Sequence, residues 1–292
     1  MSESEQVVTL KELPSMRSLL LGIGKTLVKK GKGTRLPEQT FAYRGQRIDA
    51  QHLAQYRKVC GFGDADSLPL TYLHVLAFRL QLAMLLNDNC DFPLLGLVHI
   101  QNEITRHKAL PPAAHYDFAC SFEPVAGHRR GKLIATSLTA SIDGELVWED
   151  RSVNLCRMQN KAFDKDSPAA LELLPAGRKP CSSTAEPWQL GADLGRRYAK
   201  VSGDRNPIHL YRLTAKMLGF KRQIVHGMWT KARVCAEVEP TMGDALRVKC
   251  DFKQPVFLPG KVHFYRASDK SAECAEVWDP QGRRAHLVAR FE

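Results

Sequence analysis

The stretch Tyr198-Ala-Lys-Val-Ser-Gly203 is one of two copies, because Tyr56-Arg-Lys-Val-Cys-Gly61 has the same pattern, Y-x-K-V-[CS]-G. Each copy is followed by a histidine that opens a mainly apolar run, His74 in the first half and His226 in the second. Each half then carries the pattern L-P-x-x-x-H followed by an aromatic residue. Three anchors in the same order indicate an internal repeat with a long period.

The order of structural elements also repeats. The apolar run after each histidine predicts a helix, and the alternating segments that follow predict antiparallel strands. Asp143-Gly144 is a strong hairpin signal, and Asp279-Pro-Gln-Gly282 is a turn sequence. A long apolar helix wrapped by a curved antiparallel sheet is the hot-dog arrangement, so the chain is expected to be an α+β double hot-dog. The predicted strands lie at 115–123, 132–142, 145–155, 245–252, 261–268, 273–279 and 284–291.

A polar run with four prolines separates the two copies and has the composition of a linker. We therefore expect an N-terminal hot-dog over residues 1–157, a linker over 158–187 and a C-terminal hot-dog over 188–292. Sheets of the two copies could join edge to edge, which would remove two exposed edges.

Composition and charge limit the partners and the metal or disulfide sites that the chain is expected to have. The hydrophobic content of 44% is ordinary for a globular protein, and the net charge of +11 could serve nucleic acid, an anionic membrane or an anionic ligand. No nucleic-acid motif accompanies the basic residues, so no nucleic-acid partner is expected. The eight cysteines form no C-x-x-C pair, which argues against a metal site and a disulfide framework. Reduced, mostly buried thiols in a cytoplasmic protein are expected.

No targeting segment is expected in the N-terminal region, because its start is acidic where a signal peptide is basic. The apolar run at residues 19–24 is too short to span a bilayer. Basic residues follow it, so a helix lying on a membrane surface is an alternative to one packed on the protein body. No stable membrane insertion is expected.

The stretch that continues from Gly203, Asp204-Arg-Asn-Pro-Ile-His209, has the residue types of an acid–base site. Asn206 suits the N-cap of a helix and Pro207 its first position, which predicts a short helix ending near Leu218. Asp204 then lies just outside the helix start and His209 just inside it, so the two side chains could hold one water. The alternative is that Asp204 is a second cap and His209 a packed, hydrogen-bonded side chain.

Only the second copy has this stretch. Gly61 and His74 are 13 positions apart, whereas Gly203 and His226 are 23 positions apart, and the acid, proline and histidine lie in the additional segment. Chemistry is therefore expected in the C-terminal half alone.

The spaced elements of the second half closely resemble the signature of the MaoC-like dehydratases, which include the (R)-specific enoyl-CoA hydratases. The resemblance covers about residues 198–265 and is carried by Tyr198, by Ser202 to His209, by Ala215, by Ile224-Val-His-Gly-Met228 and by Asp251 to Pro259. The N-terminal half resembles the degenerate first hot-dog of the family only weakly.

The resemblance implies a reaction and a set of site residues. Asp204 and His209 would be the catalytic pair that adds water to C3 of a trans-2-enoyl thioester and gives the (R)-3-hydroxyacyl thioester, or reverses this as a dehydratase. The N–H of Gly227 would stabilise the thioester oxyanion, Asn206 would orient the loop and His226 would shape the turn beside the substrate. The degenerate half would form a wall for the acyl chain.

The partner implied is an acyl-CoA or an acyl-carrier-protein thioester, with no cofactor and no metal. The chain could act as a monomeric pseudodimer or as a homodimer. A hot-dog thioesterase is an alternative, although its central helix would need a catalytic acid, and Glu237 and Glu239 lie only at its far end. A non-catalytic protein that binds acyl thioesters is a third possibility.

Overall fold

The structure is a computed structural model that describes residues 6–15, 18–19, 22, 33–94, 96–158, 171–177, 179–268 and 272–292. Its contacts divide the chain into two compact units that are not continuous in sequence. Residues 48–75 come from the first copy of the repeat but belong to the same unit as the second copy. Unit 1 takes residues 1–47, 76–102 and 113–172, and unit 2 takes residues 48–75, 103–112 and 173–292.

In unit 1, the strand Tyr116–Phe122 alternates between buried and more exposed residues, as a strand with one face on a core does. The bounds of the strands in unit 1 are β1 (Val7–Leu10), β2 (Thr40–Gln46), β3 (Leu97–Arg106, which ends in unit 2), β4 (Tyr116–Phe122), β5 (Ala126–His128), β6 (Gly131–Ile142) and β7 (Glu145–Arg157). Their order includes the run β1-β2-β4-β6-β7. Asp143 and Gly144 connect β6 to β7 with φ angles of 50° and 83°, the left-handed backbone of a tight hairpin turn. The predicted hairpin is confirmed.

The strands of unit 2 form an antiparallel array in the order β9-β12-β11-β10-β8. Their bounds are β8 (Glu186–Leu190), β9 (Leu246–Phe252), β10 (Gly260–Ser268), β11 (Glu273–Trp278) and β12 (Ala285–Phe291). The four strands predicted after His226 are therefore confirmed. β8 begins at Glu186, inside the last residues of the expected linker, whose residues 159–170 and 178 lie outside the described part of the chain.

The two helices predicted from the apolar runs at His74 and His226 are confirmed as α2 (Tyr72–Leu85) and α6 (Gly227–Val238). The bounds of the other described helices are α1 (Ala50–Cys60), α3 (Leu194–Ser202), α4 (Pro207–Leu210) and α5 (Arg212–Met217), and a 3₁₀ turn at Glu239–Thr241 follows α6. α6 is buried on nearly all sides and packs against β11 and β12, as the central helix of a hot-dog does. In the described part of the chain, no helix is both long and apolar enough to cross a membrane.

The repeated Y-x-K-V-[CS]-G motif is the end of a helix in both copies. Gly61 ends α1 and Gly203 ends α3, with φ angles of 83° and 76° that disfavour any other residue. Tyr56 and Tyr198, five residues before these glycines, are buried, and their ring centroids are 6.5 Å apart. The repeated motif therefore consists of a helix-ending glycine and the buried tyrosine that packs before it.

The structure has the expected α+β double hot-dog fold, with one difference near the candidate site. The short helix predicted from Pro207 to Leu218 is interrupted at Tyr211, whose extended backbone separates α4 from α5. The hydroxyl of Thr214 donates to the carbonyls of Pro207, at 2.7 Å, and Tyr211, at 3.0 Å, so a side chain satisfies backbone groups at the break. The predicted domain boundaries stay a prediction.

Candidate active site

The loop between α3 and α4 is folded by its own side chains. The N–H of Asp204 donates to the Ser202 hydroxyl at 3.2 Å, and the Asp204 carboxylate accepts the N–H of Asn206 at 3.0 Å. The Asn206 side chain in turn accepts the N–H of Ile208 at 3.3 Å and caps α4, with Pro207 at its first position. The predicted N-cap is confirmed. Each of these short polar side chains accepts the N–H of the residue two positions later. The Asp204 carboxylate is therefore held beside the N-terminus of α4.

His209 is buried, with 8% of its surface exposed, and its ring is fixed by a backbone carbonyl. Its Nδ1 lies 2.8 Å from the Ile224 carbonyl oxygen, so Nδ1 carries the hydrogen and the neutral ring has its lone pair on Nε2. Gly195 of α3 makes this placement possible, because a Cβ there would come within 2.0 Å of the His209 carbonyl oxygen. A free Nε2 is the acceptor that a general base needs.

His226 occupies the N-cap position of α6 and is almost completely buried. Its Nε2 donates to the carbonyl oxygen of Asp204 at 3.0 Å, and its ring stacks on that of His209 with centroids 3.7 Å apart. The Tyr198 ring packs on it at 5.0 Å. Buried Nδ1 of His226 has no hydrogen-bond partner among the described residues. His226 therefore joins the Asp204 loop to His209 and to α3.

The acid and the imidazoles are close enough to share a small ligand. A carboxylate oxygen of Asp204 and a ring nitrogen of each histidine, His209 and His226, all lie within 4.8 Å of one another. A water that makes two hydrogen bonds of ~2.8 Å at a tetrahedral angle joins atoms about 4.6 Å apart. The Asp204 side chain keeps 34% of its surface exposed, so the carboxylate is reachable. The arrangement can hold one water between an acid and a base.

The surroundings set the charge of each group. Burial alone would raise the pKa of Asp204, but His226 and His209 favour the carboxylate and bring that pKa below its ordinary value. Burial lowers the pKa of His209, although Asp204 and the Ile224 carbonyl oppose the shift. Burial and the neighbouring His209 lower the pKa of His226 to about 3. Near neutral pH, the site therefore holds a carboxylate beside two neutral imidazoles.

The same three side chains have the donor types of a metal site, but their orientation fits one ion poorly. The ring planes of His209 and His226 are inclined by only 25° with centroids 3.7 Å apart, so their in-plane lone pairs lie in separate, nearly parallel planes. An ion shared by the two rings would therefore lie out of at least one ring plane. His209 also commits Nδ1, and His226 commits Nε2, to backbone carbonyls. The arrangement therefore favours proton chemistry on a water over metal binding.

Gly227 is the first residue of α6. Among the described residues, no acceptor lies within hydrogen-bonding distance of its N–H, as is usual for the first amide of a helix. A Cβ at this position would lie 3.0 Å from the ring of Phe252, so a glycine lets the helix start pack on that ring. The N-terminus of a helix carries partial positive charge, which favours an anion.

The sequence assigns no role at the site to His74, the counterpart of His226 in the first copy of the repeat. His74 belongs to unit 2 and is buried, and its positive form would lower the pKa of Asp204. The repeat itself was the signal that could have linked it to the site, because it aligns with a histidine beside the acid.

The region that carries the site resembles a known protein family. Residues 177–277 match the family model described as "MaoC like domain". This range includes Asp204, Asn206, His209, His226 and Gly227. The C-terminal part of the chain, which carries the site, is therefore similar to the MaoC-like family.

Among curated relatives, the chain is 28% identical to 3-hydroxyacyl-thioester dehydratase X of Mycobacterium tuberculosis, over 86% of this chain and 88% of that protein. It is 26% identical to enoyl-CoA hydratase ChsH3 of the same organism, over 53% of each chain. A crystal structure of HtdX of M. tuberculosis superposes with a TM-score of 0.74 at 26% identity, covering 87% of this chain and 99% of that chain. A crystal structure of a MaoC-like dehydratase from Phytophthora capsici superposes with a TM-score of 0.72 at 15% identity. The match covers 90% of this chain and 96% of that chain.

Proposed function

We propose that this chain reversibly hydrates trans-2-enoyl thioesters to (R)-3-hydroxyacyl thioesters, with Asp204 and His209 as the catalytic pair. The observation that carries the proposal is the 4.8 Å grouping of the Asp204 carboxylate with the histidine rings. The Ile224 carbonyl holds the ring of His209 so that Nε2 is free to accept a proton. The relatives named for dehydration of 3-hydroxyacyl thioesters and hydration of enoyl-CoA support the reaction class.

The chemistry follows from the protonation states. The Asp204 carboxylate and Nε2 of His209 both accept hydrogen bonds from one water and make its oxygen a nucleophile. The water oxygen bonds to C3 of the enoyl group, the C2–C3 π electrons move toward the thioester oxygen, and the water proton passes to the pair. A proton is then delivered from the pair to C2, so the site ends as it began. Dehydration is the same path in reverse.

The thioester oxygen becomes negative during the reaction and needs a donor. The N–H of Gly227 is the proposed donor, because it opens α6 and no described residue accepts it. Loss of one such donor typically costs ~3–4 kcal/mol of transition-state stabilisation. Asn206 is proposed to orient the catalytic loop through its cap of α4.

A thioesterase on this fold has less support. The central helix α6 offers Glu237 only at its last turn, and Glu237 is paired with Arg233. Glu239, beyond the helix, is paired with Arg106. Neither acid is therefore free to act as the base of a thioester hydrolysis.

The test is loss of the conjugated-enoyl absorbance with crotonyl-CoA, a medium-chain trans-2-enoyl-CoA and the corresponding enoyl-carrier proteins. We expect turnover by the wild type and a loss of ~10² or more in rate for Asp204→Asn and for His209→Ala, with normal folding. Asp193→Asn is the matched control, because Asp193 is an exposed acid at the opposite end of α3 whose ion pair is with Arg197. Near-wild-type rates in either active-site variant would refute the mechanism.

The products separate the remaining alternatives. Chiral chromatography of the hydrolysed product should give the (R)-3-hydroxy acid, and the (S) form would refute the stereochemistry. Release of free thiol together with the enoic acid, and without a 3-hydroxy acid, would indicate a thioesterase, because hydrolysis also removes the enoyl-thioester absorbance. Binding of all four thioesters without turnover would indicate a non-catalytic binding protein. The localisation and the oligomeric state stay predictions.

A further inference from the structure

A second group of polar side chains lies on β11, away from the candidate active site. Cys274, Glu276 and Trp278 alternate along this strand and therefore share one face of it. Ala275 and Val277, between them, are fully buried on the other face. The chain at Cys181 covers the first face and packs on the cluster that includes Trp278.

The contacts hold a carboxylate and two thiols together. The N–H of Cys181 and Nε1–H of Trp278 both donate to Oε2 of Glu276, each at 2.8 Å. The sulfur of Cys181 lies 4.0 Å from the carbonyl oxygen of Cys274. The two sulfurs and a carboxylate oxygen of Glu276 all lie within 4.8 Å of one another. We name Cys181, Cys274 and Glu276 the thiol–carboxylate cluster.

The charge in this cluster is not balanced by a basic side chain. Glu276 is only 4% exposed, yet no lysine or arginine nitrogen in the described part of the chain lies within 4.0 Å of its carboxylate. A buried carboxylate is ordinarily paired with a cation or bound to a metal. The hydrogen bonds from Cys181 and Trp278 orient the carboxylate, as the outer partners of a ligating carboxylate do.

We propose that the thiol–carboxylate cluster binds one soft divalent cation of the Zn²⁺ class through the sulfurs of Cys181 and Cys274 and an oxygen of Glu276. Zinc sites combine thiolate and carboxylate ligands at ~2.3 Å and ~2.0–2.2 Å, so tetrahedral ligands lie ~3.5–4 Å apart, within the spacing found here. A water completes the fourth position. Both thiols lose their protons on binding, so each ion taken up releases two protons and leaves the site with net charge −1.

The spacing of the cysteines in the sequence does not indicate this site. Cys181 and Cys274 are separated by 93 positions, so no short metal-binding motif is present. The ion would fasten the segment before β8 to β11. Hydrogen bonds at Leu174 also attach this segment to the sheet, because the N–H of Leu174 donates to Asp251 at 2.7 Å and Lys253 donates to the Leu174 carbonyl at 2.5 Å.

The test is titration of the reduced, metal-free full chain with Cd²⁺ and with Zn²⁺. We expect one equivalent of Cd²⁺ to give the ultraviolet charge-transfer absorption of a cadmium thiolate, with two protons released per ion. Ions bound at the histidines of the active site would not give this absorption. Absence of a saturable thiolate band in the wild type would overturn the proposal without any variant being made.

Variants then assign the ligands. Cys181→Ser and Cys274→Ser should each weaken Zn²⁺ binding by ~10²-fold or more, and Glu276→Gln by about 10–100-fold. Cys90→Ser is the matched control, because Cys90 is also a partly exposed thiol but belongs to unit 1. Zn²⁺ should also protect Cys181 and Cys274 of the wild type from alkylation while Cys90 stays reactive. A band retained in both cysteine variants, or equal alkylation with and without Zn²⁺, would overturn the assignment.

Discussion

At the scale of single residues, backbone carbonyls decide the chemistry of the candidate site. The Ile224 carbonyl accepts a hydrogen bond from Nδ1–H of His209, and the Asp204 carbonyl accepts one from Nε2–H of His226. Each histidine is thereby held as one neutral tautomer. The stacked rings also oppose each other's protonation, because two positive charges would lie 3.7 Å apart. His226 thus helps keep His209 neutral and ready to accept a proton.

The pH dependence of activity follows from these shifts. Both Asp204 and His209 have pKa values below their ordinary ones, so the unprotonated pair persists into mildly acidic solution. We expect the acid limb of kcat/KM to be centred below about 6.5, the usual imidazole value. Enoyl hydration is measured across acidic pH, with samples returned to neutral pH to check that the protein survived. An acid limb centred at or above 6.5 would contradict the lowered pKa values.

The pH dependence of stability tests His226. Its pKa is about 3 when folded, against 6.5 for the unperturbed side chain, so on acidification the unfolded state takes up a proton that the native state resists. The resulting stabilisation is complete above pH 6.5 and is lost as the pH falls from 6.5 toward 3. In urea unfolding, the wild type should therefore lose stability over this range more steeply than His226→Gln, which keeps a donor but does not titrate. Equal slopes would show that His226 is not held neutral.

At the scale of elements, alternation and turn residues predicted most strands near the site, but the prolines placed the end of the linker inside a strand. Asp143-Gly144 and the alternating runs predicted their hairpin and strands because those signals are local. The expected linker took in the first two residues of β8, including Pro187. β8 is the last strand in its array, where a missing N–H is tolerated. At the break at Tyr211 the Thr214 hydroxyl donates to the Pro207 carbonyl, a contact that periodicity does not show.

The packing of α3 on α4 gives a prediction at the same scale. A Cβ at Gly195 would lie 2.0 Å from the His209 carbonyl oxygen, a backbone atom that cannot rotate away. Gly195→Ala should displace α4 and lower the free energy of unfolding by ~1–3 kcal/mol. It should also reduce kcat, because the His209 ring moves with α4. Urea unfolding and hydration kinetics measure the two effects.

The control for this change is Gly243→Ala, because a Cβ at Gly243 meets no atom within 4 Å. It should leave kcat unchanged. Wild-type kcat in Gly195→Ala, or an equal loss in both variants, would show that the contact of α3 with His209 does not position the ring.

At the scale of the whole molecule, the sequence predicted the local arrangement of the candidate loop better than it predicted what surrounds that loop. The spacing of Asp204 and His209 around Asn206 is a local pattern with a local geometric consequence. The stacking of His226 on His209 requires α6 to meet α4, and the presence of His74 requires residues 48–75 to join unit 2. Such contacts between distant segments leave no periodicity or spacing that a single sequence can display.

A buried ion pair also joins distant segments of unit 2. The Arg106 guanidinium pairs with Glu239 and donates to the carbonyls of Gly243, at 3.0 Å, and Asp244, at 2.7 Å. Glu239 also accepts the N–H of Leu70 at 3.2 Å. The end of β3, the end of the central helix and the residues before α2 thus meet at one pair of charges.

Removing one partner of this pair should be far more harmful than removing both. Arg106→Met leaves the Glu239 carboxylate buried without its cation and should lower the free energy of unfolding by ~3–5 kcal/mol. Arg106→Met with Glu239→Met should recover most of that loss, because no buried charge then remains. Arg247→Met is the control: Arg247 pairs with Glu103 but is half exposed, so its loss should change the free energy of unfolding by less than ~1 kcal/mol. If urea unfolding shows the double variant to be as unstable as Arg106→Met, then the lost hydrogen bonds to the loop carbonyls, and not the unpaired charge, determine the stability here.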